Sequence, residues 1–393
     1  MMTETPEGQF WRNENGQLHR DGDEPAVILK DGTMCWYKNG ILHRDGDNPA
    51  ITYDDGTQFW YKNGVLHRDG IDGPAVIDVR RCVQYWYKDG LQHRDGDQPA
   101  VIFENGTMYW YKNGMIHRDG DEPAEICKDG RRRWFKNDIL YRDGDKPCEI
   151  ESDGTQKWYK EGGKLHREDD KPAVICPSGY QIWYKNGLRH RDGDKPAATG
   201  SVYDDLWYKN GKLHRDGDNP AVIKKNGDKY WYKNGLRHRD SVDGQPPGPA
   251  AIENGYTAWY RYDKLHRDGD EPALICPDGT MKWYRDGVLH RDGDNPAVVE
   301  VRGTKQWFKN GKLHRDGDQP AIYANGIYCW YKNGELHRDG NKPARIHPDG
   351  MRRYCIDGKQ YGTWMSHDIG MLLNDSADSS SQEVKSIGED IYG

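Results

Sequence analysis

Residues 36–59 read Trp36-Tyr37-Lys38-Asn39-Gly40-Ile41-Leu42-His43-Arg44-Asp45-Gly46-Asp47-Asn48-Pro49-Ala50-Ile51-Thr52-Tyr53-Asp54-Asp55-Gly56-Thr57-Gln58-Phe59, and at Trp60 the phrase starts again. Its tryptophan recurs at Trp11, Trp36, Trp60, Trp86, Trp110, Trp134, Trp158, Trp183, Trp207, Trp231, Trp259, Trp283, Trp307 and Trp330, fourteen copies spaced by 23 to 28 residues and most often by 24. Thirteen of the fifteen histidines fall in the one His-Arg-Asp slot of the phrase. Repetition at this period marks an array whose units cannot bury their own apolar faces, so that neighbours stack and stability becomes a nearest-neighbour sum.

Each copy holds two turn signals. Asn39-Gly40 is a strong short-range hairpin signal, because both residues tolerate the positive φ of a type I′ turn. Asp55-Gly56, or Asn105-Gly106 in another copy, marks the second turn. Short runs of Trp, Tyr, Val, Ile and Thr lie between them and suit pleated strands. Helical periodicity is absent from residues 1–362. A copy therefore reads as strand A (T-x-x-W-Y-K), a tight turn, strand B (x-L-H-R), a D-G-D-x-P corner and strand C (A-V-I).

A two-residue turn fixes the register, setting Lys38 against Ile41, Tyr37 against Leu42 and Trp36 against His43. By alternation, Trp and His share one sheet face, while Tyr, Leu and Arg44 share the other. The expected outcome is a Trp–His ladder, with Arg and Asp forming an ion pair and an Asx-type turn at each D-G-D corner. Its members are Trp36, His43, Arg44 and Asp45; Trp60, His67, Arg68 and Asp69; Trp110, His117, Arg118 and Asp119; and Trp283, His290, Arg291 and Asp292. Tyr37, Leu42, Tyr61, Leu66, Tyr111, Tyr284 and Leu289 form the candidate interaction face, a row whose composition is that of association surfaces.

Composition narrows the class. Mean hydropathy is -1.08 and only 34% of residues are hydrophobic, too few for globular cores of this chain length. Yet 15 Trp, 25 Tyr and 5 Phe argue against disorder. The net charge of -7 comes from 57 basic and 64 acidic residues, interspersed along the chain, so the basic footprint of a nucleic-acid binder is missing. There is no apolar run of membrane-spanning length, and Met1 to Gly8 carries no secretory pattern. The eight cysteines form no C-x-x-C pair, and Cys127, Cys176 and Cys276 each follow an isoleucine at one repeat slot, as small apolar strand residues would. The expectation is a cytoplasmic or virion protein, not secreted, with reduced thiols.

His-Arg-Asp also occurs in the protein-kinase catalytic loop, where an asparagine follows the aspartate by five positions; here that position after Asp45 is Ala50. A catalytic constellation belongs to one pocket, whereas residues repeated in every copy serve packing, pairing or periodic binding. No enzyme, cofactor or catalytic residue is expected. The chemical alternative is a periodic divalent-metal or small-ligand binder using His43, Asp45 and Asp47 at i, i+2 and i+4. Gly46 and Pro49 bend the chain there, and Tyr141, Glu168-Asp169-Asp170 and Asn341 depart from the set, so no metal site is assigned.

Three regions break the pattern. At 241–249 the corner becomes Ser-Val-Asp-Gly-Gln-Pro-Pro-Gly-Pro, five residues longer, a tolerated surface loop or a partner-docking one. A degenerate fifteenth copy places Tyr354 in the Trp slot, Tyr361 in the His slot and Gly362 in place of Arg. Residues 363–373 are then expected to form a short capping helix, opened by Thr363 and lined by Trp364, His367, Met371 and Leu372, which closes the last edge. Residues 374–393 read as an acidic flexible tail.

The W-Y-K-N-G-x-L-H-R-D-G-D-x-P-A-V-I…D-G-T phrase resembles the MORN-type repeat group, and more closely the H-R-D-x-D-x-P-A repeat proteins of giant DNA viruses, over residues 6–362. The D-G-D-x-P insertion and the W-Y pair depart from the ordinary MORN consensus. The resemblance implies an elongated, twisted antiparallel sheet acting as a scaffold, often self-associating, and in viral cases a virion component. MORN proteins are also linked with membranes, but the basic face for lipid binding is missing here. The combined expectation is an all-β domain over residues 1–362, built of β-hairpin repeats. Its expected role is non-enzymatic assembly with protein partners, including a homo-oligomer and the structural proteins of a giant-virus capsid, without nucleic acid or direct membrane binding. The architectural rival is a closed propeller of paired copies, the form that suits the ligand-binding alternative.

Overall fold

The computed structural model of the chain describes residues 1–69, 73–241 and 243–364, and among these every regular element is a β-strand. The chain divides into two compact units, Met1–Lys212 and Leu213–Gly393.

In the first unit the copies build a meander of very short strands. Val27–Leu29 pairs with Met34–Cys35, which pairs with Ile51–Thr52, then with Gln58–Phe59, then with Val76–Asp78, every pairing antiparallel. Beside this sheet stands a row of separate two-stranded hairpins, such as Tyr37–Lys38 with Ile41–Leu42. The hairpin register is the expected one, Tyr37 opposite Leu42 and Lys38 opposite Ile41. Asn39 and Gly40 have φ of 51° and 80°, as a type I′ turn demands. Neighbouring hairpins are tied by one backbone bond per copy: the Gly64 N–H donates to the Leu42 carbonyl at 2.9 Å, and the Gly90 N–H to Leu66 at the same distance.

Strand A is not continuous. From Trp36 to Trp330 it breaks at the tryptophan, whose residue belongs to neither strand. The Trp36 N–H donates to the Ala50 carbonyl at 2.8 Å, while its own carbonyl accepts from the His43 N–H at 3.1 Å. The cause is a change of partner: residues before Trp36 pair with strands C on both sides, residues after it pair with strand B, and these directions diverge at the ring. The small residue after each corner proline, alanine in all copies but the sixth, where it is Cys148, lies at the centre of the packing. Ala50, Ala75 and Ala100 are wholly buried, and Trp36, Trp60 and Trp86 nearly so. Hairpin residues lean onto the sheet, as Leu165 and Tyr184 do on Val174, Ile182 and Ala198. The unit starts with a strand not expected from the sequence, Met2–Thr5, paired with Gly8–Trp11.

The second unit repeats this plan, from Val222–Ile223 against Lys229–Tyr230 onward. Its last described pair is Arg352–Ile356 with Lys359–Trp364, so Thr363 and Trp364 continue a strand instead of opening a capping helix. Gly362 replaces the arginine that elsewhere precedes the corner, and without a corner the second strand of the fifteenth copy runs straight on. The remainder of the expected helix, 365–373, and the expected tail, 374–393, lie outside the described residues.

Candidate functional site

The side chains singled out by the sequence meet at the junctions between copies. At the junction of the second and third copies, the Arg68 guanidinium lies over the Trp60 ring at 4.1 Å. Its Nε and one terminal nitrogen donate to both carboxylate oxygens of Asp47, in the preceding copy, at 2.6 and 2.8 Å. Its other terminal nitrogen donates to the Pro74 carbonyl at 3.1 Å. Asp47 also accepts the Trp60 indole N–H at its backbone carbonyl, at 3.4 Å. One aspartate thus holds both the ring and the cation of the next copy. Arg44 on Trp36 with Asp23, Arg118 on Trp110 with Asp97, and Arg291 on Trp283 with Asp270 repeat the stack and the fork; the indole bond repeats at Trp283, while the Trp36 and Trp110 N–H groups are buried without a partner. The Arg68 hydrogen bond holds Asp47 below the usual carboxylate range, against the opposing effect of burial. Planar Arg suits this place, since it forks onto a carboxylate while stacking on an aromatic face.

The expected Trp–His ladder is therefore a Trp–Arg–Asp ladder, and Arg44 lies with Trp36 instead of sharing a face with Tyr37 and Leu42. Alternation counts residues along a straight strand, and the chain bends at the tryptophan. The histidines instead tie copy to copy. The backbone N–H of Asn63 donates to Nδ1 of His43 at 3.1 Å, so the ring hydrogen sits on Nε2, which meets Asp45 at 2.9 Å. Lys38 shares that carboxylate at 3.2 Å. His67 with Asp69, His117 with Asp119 and His290 with Asp292 keep the same pairing. The Asx turn expected at the D-G-D corner forms at the other turn, where Asp55 accepts from the Thr57 N–H at 2.8 Å.

The His43, Asp45 and Asp47 set does not converge, because Asp47 faces Arg68 of the next copy while Asp45 faces His43 and Lys38. Among the described residues no cluster of three His, Cys, Asp or Glu side chains could hold a metal ion. All eight cysteines are unpaired. Between successive corners lie shallow pockets, for example one of about 330 Å³ lined by His290, Asp294, Trp307, Lys309 and Arg315.

The candidate interaction face is partly covered. Tyr37, Leu42, Tyr61, Leu66, Tyr111, Tyr284 and Leu289 are half-buried, because the hairpins fold against the sheet. Burial raises the Tyr37, Tyr61 and Tyr111 phenols accordingly. The exposed apolar row is the residue after the two-residue hairpin turn, Asn-Gly in most copies, Asp89-Gly90 before Leu91 and Asn137-Asp138 before Ile139. Ile41, Val65, Leu91, Met115 and Ile139 are 50, 43, 51, 38 and 40% exposed, in five successive copies. Each of the first three lies against the turn glycine of the next copy, Gly64, Gly90 or Gly114. In the second unit the row alternates in chain order, exposed Leu236, Lys264, exposed Val288 and Lys312. The sequence showed these residues one place before the leucine, but their exposure follows from the lean of the hairpin. No protein-family model matches the chain, and no curated protein matches it.

Proposed function

We propose that this chain is a non-enzymatic structural repeat protein whose work is assembly, and that it associates with a second copy of itself through the row Ile41, Val65, Leu91, Met115 and Ile139. The observation that carries this reading is the exposure of that row in five successive copies, since contiguous exposed apolar surface marks interaction sites. The residues that resemble catalytic ones point the same way, because they recur at junction after junction in mutual contacts.

Light scattering on the full chain, compared with a variant carrying serine at all five positions, tests it. The expected result is a multimer of fixed mass that becomes monomeric in the variant with its β circular dichroism unchanged. A wild-type chain that stays monomeric across the accessible concentration range would overturn self-association through this row. On the resemblance to giant-virus repeat proteins, the proposal extends to a minor structural component of a virus particle, which mass spectrometry of purified particles would test.

A further inference from the structure

At no fewer than ten junctions among the described residues the arginine over the tryptophan holds an aspartate of the preceding copy. The junction of the tenth and eleventh copies keeps the arginine and lacks the acid. Arg267 lies over Trp259 at 3.9 Å and donates to the Pro272 carbonyl at 3.2 Å, the pose seen elsewhere. The place of the aspartate is taken by Pro247. It stands three residues before the buried Ala250, as Asp47 stands three before Ala50, and its carbonyl accepts the Trp259 indole N–H at 3.2 Å. Proline reproduces the carbonyl and brings no carboxylate.

Among the described residues no carboxylate of the tenth copy reaches Arg267. Glu271, in its own copy, approaches the edge that already serves Pro272, at 3.8 Å, and is largely exposed. Burial pushes the Arg267 guanidinium below its ordinary range, with Glu271 opposing in part. The end of the array provides the contrast: Asn341 replaces the aspartate of the fourteenth copy where Gly362 replaces the arginine of the fifteenth, so both partners are gone together.

A second contact is altered at the same junction. Tyr262 occupies the asparagine place of the turn and stacks on His238 at 4.2 Å with the rings 7° from parallel, and His238 Nδ1 has no hydrogen-bond partner. Tyr262 is 50% exposed, which leaves an aromatic surface beside the junction.

We infer that the Arg267–Trp259 junction is a docking seat for a carboxylate from outside the chain, an aspartate or glutamate side chain of a protein partner, bound as Asp47 is bound by Arg68. The seat presents Nε–H and one terminal N–H in the fork that matches a carboxylate, preoriented by the ring beneath and the Pro272 carbonyl. This stands apart from the assembly reading and does not depend on the exposed apolar row.

The test follows the arginine Nε–H resonances of the full ¹⁵N-labelled chain. The probe is a capped peptide Gly-Asp-Asn-Pro-Ala, the sequence of this chain's own corner at residues 46–50. The expected result is a saturable shift of the Arg267 signal, with the Asn-for-Asp peptide binding about tenfold more weakly. Pro247→Asp is expected to place the signal at its bound position without peptide, abolish the response to peptide and raise the melting temperature. An absent response at millimolar peptide, equal binding of the asparagine peptide, or an unmoved Arg267 signal in Pro247→Asp would each overturn the seat. An equal response to sodium acetate would overturn its assignment to a protein side chain.

Discussion

Two junctions of the second unit carry the same stack and differ in what faces it. Between the twelfth and thirteenth copies, Arg315 lies over Trp307 at 3.9 Å, forks onto Asp294 at 2.6 and 2.8 Å, and the Asn310 N–H donates to His290 Nδ1 at 3.0 Å. Between the tenth and eleventh, Arg267 covers Trp259 at the same 3.9 Å, but Pro247 replaces the acid and Tyr262 stacks on the histidine instead of donating to it. The difference separates two layers of the design. Ring and cation hold within one copy, whereas the carboxylate and the backbone N–H hold one copy to the next.

The largest expected effect lies where the two junctions agree. Both indoles are 8% exposed, so Trp307→Ala and Trp259→Ala should each cost about 3–5 kcal/mol of local stability. Hydrogen exchange of the flanking alanine amides would read this, and a clearly smaller loss at Trp259 would break the view that the stack is common to both. The next effect lies where they differ. Asp294→Ala transplants the open junction into the closed one. Charge-assisted hydrogen bonds are worth about 1.5–3 kcal/mol, and Asp294 is 63% exposed, so a loss of about 1 kcal/mol is expected in denaturant unfolding. An unchanged stability would mean that the ladder is held by the stack alone.

That layering explains what could be read from the sequence. The Asn-Gly turn, the pairing of Tyr37 with Leu42 and the antiparallel strands were legible because they depend on residues a few places apart, and the two-residue turn leaves one register. The Arg44–Asp23 fork spans 21 residues and crosses a junction, so a reading confined to one copy could not find it. A signal for it was present in the joint replacement by Asn341 and Gly362. The bend at each tryptophan was hidden for another reason, since alternation gives the same pattern whether a strand continues or changes partner. Local exceptions were also out of reach. Glu125 and Glu149 stand where most copies place an aliphatic residue, and Glu125 is 2% exposed, yet both are paired across the sheet. Arg133 meets Glu125 at 2.7 Å and Lys157 meets Glu149 at 3.4 Å, and only the cross-strand register makes those pairs visible.

A smaller effect should separate the histidines. His290→Ala removes the acceptor for the Asn310 N–H, while His238→Ala removes a ring contact with an exposed tyrosine. A neutral hydrogen bond contributes about 1 kcal/mol, so exchange of the Asn310 amide should speed up about fivefold. Exchange of the Tyr262 amide in His238→Ala should change little. Equal changes would show that the histidine acts through packing at both places.

The smallest expected effect is a difference in acid sensitivity, and its sign is set by the carboxylates. Both junctions carry a corner aspartate pair held below the usual range by Lys or Arg and His partners, Asp240 with Asp268 and Asp292 with Asp316. Only the closed junction adds Asp294, lowered chiefly by its hydrogen bond to Arg315. A carboxylate whose folded value is depressed stabilises fully above its unfolded value of about 3.9, and that stabilisation is lost as pH falls through the folded one. As pH falls below about 4, protection at the Arg315 junction should therefore decline more than at the Arg267 junction. Pro247→Asp should give the second junction the acid dependence of the first, because the new carboxylate would stand where Asp294 stands. If the two wild-type junctions declined in parallel, the fork onto Asp294 would contribute nothing measurable, and the contrast between them would reduce to the histidine contact.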